Sequence, residues 1–207
     1  MLQPTFCPTL LHGSKVSGDV AMQQAFSIGT LIEFAEKKRV HVGKILSVEH
    51  KSNGGARYEV LDHDGHKFHI ADKAVNYAVT IKPNEERQAK QIFDEFAAAF
   101  EEPDMELRKD LDISAELLEM AWEETLEDES HQLTAKSLID LVHSHAASGI
   151  EGYKAWRLMR TDMAHVFFKE MKDHGRVVSF KAKAAKVRII HFIRCNHITK
   201  LKPLIFY

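Results

Sequence analysis

The chain has 207 residues, 44% apolar and 28% charged, with a formal net charge of −2, which is ordinary for one or two globular domains. No apolar run approaches the roughly 20 residues that a membrane-spanning helix needs. Two cysteines, Cys7 and Cys195, lie near opposite ends, which leaves no disulfide framework and no CxxC metal spacing, so a reducing compartment is the default.

Residues 1–27 contain few acids and no arginine and read as a disordered tail or an organelle-targeting segment that lacks the usual Arg-rich amphipathicity. Residues 28–82 then read as short strands. "TLIEF" (30–34), "VHVGKILSV" (40–48), "ARYEVLD" (56–62), "HKFHI" (66–70) and "VNYAVTI" (75–81) are rich in β-branched and aromatic residues. "EKK" (36–38), "KSNGG" (51–55) and Asp64-Gly65 separate them as turn signals. Five short strands in so few residues predict a small, strongly bent barrel of the SH3-like or OB-like kind.

Pro83 ends the sheet. Residues 83–111 read as an amphipathic helix and linker: behind Asn84 as N-cap, Ala89, Ile92, Phe93, Phe96, Ala97 and Phe100 recur at helical spacing up to Pro103. A second unit occupies 112–188. "SAELLEMAWEETLE" (114–127) turns Leu117, Leu118, Ala121, Trp122 and Leu126 to one face behind Ser114. "TAKSLIDLVHSHA" (134–146) is capped by Thr134 and buries Leu138, Ile139, Leu141 and Val142, and Gly149 punctuates. "EGYKAWRLMRTD" (151–162) points Tyr153, Trp156 and Met159 inward, and "HVFFKEM" (165–171) and "RVVSFKA" (176–182) flank a hairpin turn at "KDHG" (172–175). Three short helices and a hairpin are the element order of a winged helix. The fold class is therefore α+β, a small barrel, a linker helix and a winged helix, with a basic and apolar tail over 189–207.

"LDHDGHKFHI" (61–70) carries His63, His66 and His69. With Asp64-Gly65 as a two-residue turn, His63 and His66 face each other and His69 points to the opposite side of the ribbon. Zinc wants three or four ligands, so the stretch reads as a hairpin end and not a metal site. No GxSxG elbow, GxxxxGK[ST] loop or GxGxxG fingerprint occurs. Asp110 and Asp112 stand in a solvated linker. No catalytic residue, metal ligand or cofactor site is assigned.

Charge is strongly segregated. Asn84–Ser130 holds 17 Asp/Glu against 4 Lys/Arg, and Tyr153–Lys202 holds 3 against 13. The basic part is the better functional signal. Lys169, Lys172, Arg176, Lys181, Lys183, Lys186 and Arg188 span the expected wing and the segment after it, with Phe167, Phe168 and Phe180 interleaved. At least two of these rings belong to the core, and an exposed one could stack on an unpaired base. Lys37, Lys38, Arg39 and Arg57 form a second candidate surface on the barrel. Single-stranded RNA is the expected partner, a membrane is not, and the acidic helices could receive a basic protein.

The order of these parts resembles the N-terminal region of the cyanobacterial and plant-organelle type of ribonuclease II. "GTLIEF…RVHVGKILSV…RYEVLDHDGHKFHI…VNYAV" (29–79) resembles that family's opening barrel. "AELLEMAWEETLED" (115–128), "LTAKSLIDLVHS" (133–144), "GYKAWRLMRTDMAHVFFKE" (152–170) and "VVSFKAKAAKV" (177–187) resemble its winged helix. The family degrades RNA from the 3′ end with Mg²⁺ held by aspartates of a large downstream domain, to which no residue here corresponds. The resemblance thus implies RNA-binding accessory modules, non-catalytic alone, in a truncated product, a fragment or a diverged relative. It also implies a role in RNA processing, in a plastid or mitochondrion, or else in the cytoplasm. "FKAKAAKV" lacks the arginine usual in the family's segment, and the tail departs from its charged helix. A reading from another class makes the chain a protein-interaction adaptor, using its acidic helices and small barrel.

Overall fold

The structure is a computed structural model that describes residues 25–52, 55–126 and 132–184. Five antiparallel strands come first: β1 (Leu31–Glu36), β2 (Arg39–His50), β3 (Ala56–Asp62), β4 (Lys67–Ala71) and β5 (Val75–Val79). They pair in the order β4-β3-β2-β1-β5, so the last strand returns to the first. A 3-10 turn, Asp72–Ala74, makes the passage from β4 to β5. The twelve-residue β2 bends through a register shift between Ile45 and Ser47. Gly43 allows this curl, because a Cβ there would sit 2.5 Å from Val60 Cγ1 and 2.7 Å from the Leu61 carbonyl oxygen. The inner face is closed by Ile32, Phe34, Ile45, Tyr58, Val60 and Ile70.

A helical layer comes next: α1 (Ala89–Glu101), α2 (Asp104–Asp110), α3 (Ala115–Leu126), α4 (Ala135–His143), α5 (Gly149–Leu158) and the single turn α6 (Asp162–His165). The wing is β6 (Phe168–Asp173) paired with β7 (Arg176–Ala182). Leu133, between α3 and α4, adds a bridge to β7 through two backbone hydrogen bonds with Phe180. Fold class and element order thus agree with the sequence. The caps at Ser114 and Thr134 hold, the second with Thr134 Oγ1 accepting from the Ser137 amide at 3.1 Å.

Several local expectations are corrected. Asn84 does not cap α1: Pro83 opens a 3-10 turn to Gln88, closed by the Lys82 amide donating to Glu85 Oε2 at 3.0 Å, and the α-helix begins at Ala89. The expected linker before residue 112 contains the helix α2. Gly149 is the first residue of α5, behind the N-cap Ser148, and the expected helix over 151–162 is divided between α5 and α6. Leu141 is 41% exposed. The wing turn is the two-residue loop His174-Gly175, with φ of 48° and 87°, as a type I′ turn requires.

The hairpin at 61–70 departs by one register step. Leu61 pairs with Lys67, and the Asp62 amide donates to the His66 carbonyl. The loop is therefore His63-Asp64-Gly65. A two-residue type I′ turn needs positive φ at both central positions, yet only Gly65 of the pair has it, at 87°. Asp62 fixes the longer loop, its carboxylate accepting from the His66 amide at 2.7 Å.

β1 is buried on both faces. Ile32 and Phe34 fill the barrel, while Leu31 and Glu33 face the helical layer. There α5 lies on β5 closely enough that a Cβ on Gly149 would meet Val79 Cγ1 at 2.5 Å. Tyr77, Phe96, Tyr153 and Trp156 form one aromatic cluster, with centroids 4.5–6.1 Å apart. Inside it Tyr153 donates to Glu33 Oε2 at 2.7 Å and Asn76 Nδ2 donates to Glu33 Oε1 at 2.9 Å. Glu33 is 5% exposed and Tyr153 fully buried, so each satisfies a group that water cannot reach. A buried hydrogen bond to a charged group contributes about 1.5–3 kcal/mol. Tyr153→Phe should therefore lower unfolding free energy by about that amount in urea titrations; a change below about 0.5 kcal/mol would show that Glu33 is not held by this bond.

Candidate nucleic-acid interface

In a helix-turn-helix the second helix reads the duplex major groove. Here that position belongs to α5, and every residue of α5 is buried or half-buried among α1, α2, α4 and β5. Its two cations are engaged locally. Lys154 Nζ lies 2.9 Å from Glu102 and 2.5 Å from Asp110, and Arg157 donates to the Ala99 carbonyl and stands 3.9 Å from Asp104. Arg160, just beyond, covers the Trp156 ring at 4.3 Å and donates to Glu170 at 3.2 Å. Part of the acidic middle and part of the basic C-terminal half thus neutralise each other inside the fold. The face that would read a duplex is a joint between modules.

The candidate cations separate into three groups. Arg176 is a clamp between wing and barrel: its Nε donates to the Val75 carbonyl at 3.0 Å and its Nη2 to the Asp72 carbonyl at 3.1 Å, and its guanidinium lies 4.8 Å from the Phe26 ring centroid. Lys183 Nζ donates to the His165 carbonyl, while the Lys183 carbonyl accepts from Trp122 Nε1 at 2.8 Å. Lys172 pairs with Glu170 at 3.2 Å. These three are engaged within the fold.

Lys169 and Lys181 face each other across the wing, Lys169 exposed and Lys181 half-buried. Lys37, Lys38, Arg39 and Arg57 are exposed on the barrel. Lys37 and Lys38 are the two central residues of the β1–β2 turn, with φ of 47° and 70°. Turns of this geometry favour Asn and Gly, and a larger side chain in the left-handed region costs about 1–2 kcal/mol. Lys186 and Arg188 lie outside the described residues, as does the tail over 189–207. Phe167, Phe168 and Phe180 are all buried, at 7%, 0% and 1% exposure, so none of the three is available to stack on a base.

The histidines also part company. His63 lies against α1, 3.4 Å from Asp94 and 5.7 Å from the Phe93 ring centroid. His66 Nδ1 is 3.3 Å from Asp62 Oδ2, and His69 pairs with Glu59 on β3. Among the described residues, Asp62, Asp64 and His66 could bring ligand atoms within 4.8 Å of one another. The magnesium of ribonuclease II chemistry favours an octahedron of oxygen ligands. An imidazole and a carboxylate already bonded to it, at an exposed turn, do not fit that ion, and Asp110 is taken by Lys154.

Residues 106–187 match the ribonuclease II winged helix domain. The chain carries a ribonuclease II-type winged helix. No curated protein and no solved structure matches significantly. The matched residues take in α3, α4, α5, α6 and the wing. No described helix is long and apolar enough to cross a membrane.

The sequence did not single out Glu33 or its bond to Tyr153, nor Lys51 and Lys73, two exposed lysines at the wing end of the barrel. The carboxylate of Glu33 inside the apolar "TLIEF" was the available signal for the first pair. Nothing in the local sequence announces the second. The ion pairs of Lys154 carry a pH dependence. The Lys154 ammonium, hydrogen-bonded to Asp110, holds that carboxyl below its usual range. Burial alone would push Lys154 down, but Asp110 and Glu102 outweigh it and raise it. The Asp110 contribution is complete above the ordinary carboxylate range and is lost as pH falls through the depressed value; that of Lys154 is lost only as pH rises past its raised value. Urea midpoints should therefore fall between about pH 7 and about pH 3, and the fall should be smaller in Lys154→Met. An identical fall in both proteins would contradict the assignment.

Proposed function

We propose that this chain comprises non-catalytic RNA-binding modules of a ribonuclease II-like protein, an SH3-like barrel and a winged helix that together contact single-stranded RNA. The match of residues 106–187 to the ribonuclease II winged helix carries the reading. The geometry supports single-stranded over duplex RNA or DNA, because α5 is enclosed by the barrel and α1. Exposed basic residues at hairpin tips and strand faces include Lys37, Lys38 and Arg39 at the β1–β2 turn, Arg57 on β3, and Lys169 on the wing. Flexible cations of this kind contact phosphates and give affinity without sequence selectivity. The SH3-like reading of the barrel rests on its strand order, with β5 returning to β1 after a single 3-10 turn.

The turn geometry favours the RNA reading over a protein adaptor. The acids of α1 and α2 that would dock a basic partner are partly occupied by Lys154 and Arg157, whereas Lys37 and Lys38 stand exposed in a backbone conformation that Asn-Gly would occupy at lower cost. Affinity for a labelled single-stranded oligoribonucleotide, measured by fluorescence anisotropy, should fall linearly in log K against log salt; a flat plot would overturn the electrostatic reading. Lys37→Asn combined with Lys38→Gly should raise unfolding free energy by about 1–2 kcal/mol while weakening RNA binding. Greater stability with undiminished affinity would remove this turn from the interface.

A further inference from the structure

At the junction of the two modules the structure holds a cleft of about 310 Å³, between the end of the barrel and the tip of the wing. The geometry points to this cleft as the seat of a phosphodiester of single-stranded RNA, gripped by Lys51 and Lys73 over a fixed Arg176. The inference rests on the RNA-binding reading and names the site within it.

The cleft is built from three separate parts of the chain. Lys51 lies just past β2, Lys73 in the 3-10 turn before β5, His174 in the wing turn and Arg176 at the start of β7. Two acids also line it, each with a neighbouring partner, Asp173 remaining more than half exposed. Asp72 Oδ1 accepts from the Tyr58 hydroxyl at 2.8 Å, and Asp72 Oδ2 lies 3.4 Å from Arg176 Nη2. Asp173 Oδ1 is 2.7 Å from His174 Nδ1. Lys51 and Lys73, by contrast, are exposed and enter no ion pair among the described residues. Two ammonium groups without an ion-pair partner among the described residues therefore border one cleft, beside Arg176 and the carboxylates of Asp72 and Asp173.

Arg176 supplies the rigid element. Its Nε and Nη2 are held by two carbonyls and Asp72, and its plane is supported by Phe26. The guanidinium cannot swing away when the cleft is empty, and its Nη1 has no hydrogen-bond partner among the described residues. A fixed planar donor flanked by flexible ammonium groups suits phosphate, to which guanidinium groups and lysines both bond well. The cleft's volume is at the lower end of the range for small-ligand sites, about 300–1,000 Å³, so it admits one nucleotide-sized group and not a duplex. The β1–β2 turn extends the basic surface from the same end, since Phe34 pairs with Val75, immediately after Lys73 and Ala74.

The test is anisotropy with a labelled single-stranded oligoribonucleotide, comparing the unaltered chain, Lys51→Gln/Lys73→Gln, and the charge-matched control Lys82→Gln/Lys90→Gln at the start of the helical layer. Thermal melts check that all three are folded. For two lost phosphate contacts on a single strand, the log K against log salt slope should drop by about 1.4 and the affinity at about 0.1 M salt should fall about 25-fold, with the control near the unaltered chain. Salt-dependent binding by the unaltered chain with equal weakening in both variants, or in neither, would overturn the cleft and leave the RNA reading intact. No salt-dependent RNA binding by the unaltered chain would overturn both. Displacement of the RNA by poly-glutamate at equal charge, as effective as unlabelled RNA, would show that the cleft takes any polyanion and would overturn the phosphate assignment.

Discussion

The structure depends on the burial of α5 against the outer face of β1 and β5. That packing joins two modules, each with an element that would otherwise be left half-covered. Leu31, Val42 and Val79 leave the barrel to enter the helical core, so the barrel has no solvent-facing side there. The bond from Tyr153 to Glu33 ties the arrangement to one register. A carboxylate in that position is costly unless its oxygens are met. Both are met, by side chains from the two modules, Tyr153 and Asn76. A slip of α5 along β5 would leave Glu33 unsatisfied and press Gly149 away from Val79.

This joint decides which surfaces are left for a ligand. The helix that an isolated winged helix would present to a duplex is packed on the barrel, and the three phenylalanines of the wing are packed into the core. Function moves to the edges: the β1–β2 turn, the outer strands, and the place where the wing turn meets the barrel. Arg176 has a part in both arrangements. It locks the wing tip to Val75 and Asp72, and by doing so it fixes one wall of a basic cleft.

The charge pattern is the clearest case of a sequence signal whose meaning changed in three dimensions. Read along the chain, an acidic middle and a basic C-terminal half suggest two external partners. In the fold, Glu102, Asp104 and Asp110 lie beside Lys154 and Arg157, and Glu170 lies beside Arg160 and Lys172. Part of the segregation is complementarity between the α1–α2 segment and α5. The cations outside this pairing sit on the barrel as much as on the wing.

By itself the sequence determined most element types and their order, α2 and the separate turn α6 excepted. Alternating β-branched and aromatic residues predicted five strands, helical periodicity predicted the helices around Leu118, Leu138 and Trp156, and Gly175 marked the wing turn. These are local properties, set by backbone sterics and by which face each side chain occupies. The resemblance to ribonuclease II was legible for the same reason, since it lies in such patterns, and the match over residues 106–187 agrees with it. The tertiary structure decided the rest. The loop at His63-Asp64-Gly65 is one residue longer than its turn signal suggests because the Asp62 side chain bonds the His66 amide. Whether Arg176 or Lys169 reaches solvent depends on what packs opposite, and Lys51 and Lys73 become neighbours of the wing only once β5 has returned to β1. Contacts between distant segments are stabilised by burial that no local window of sequence displays.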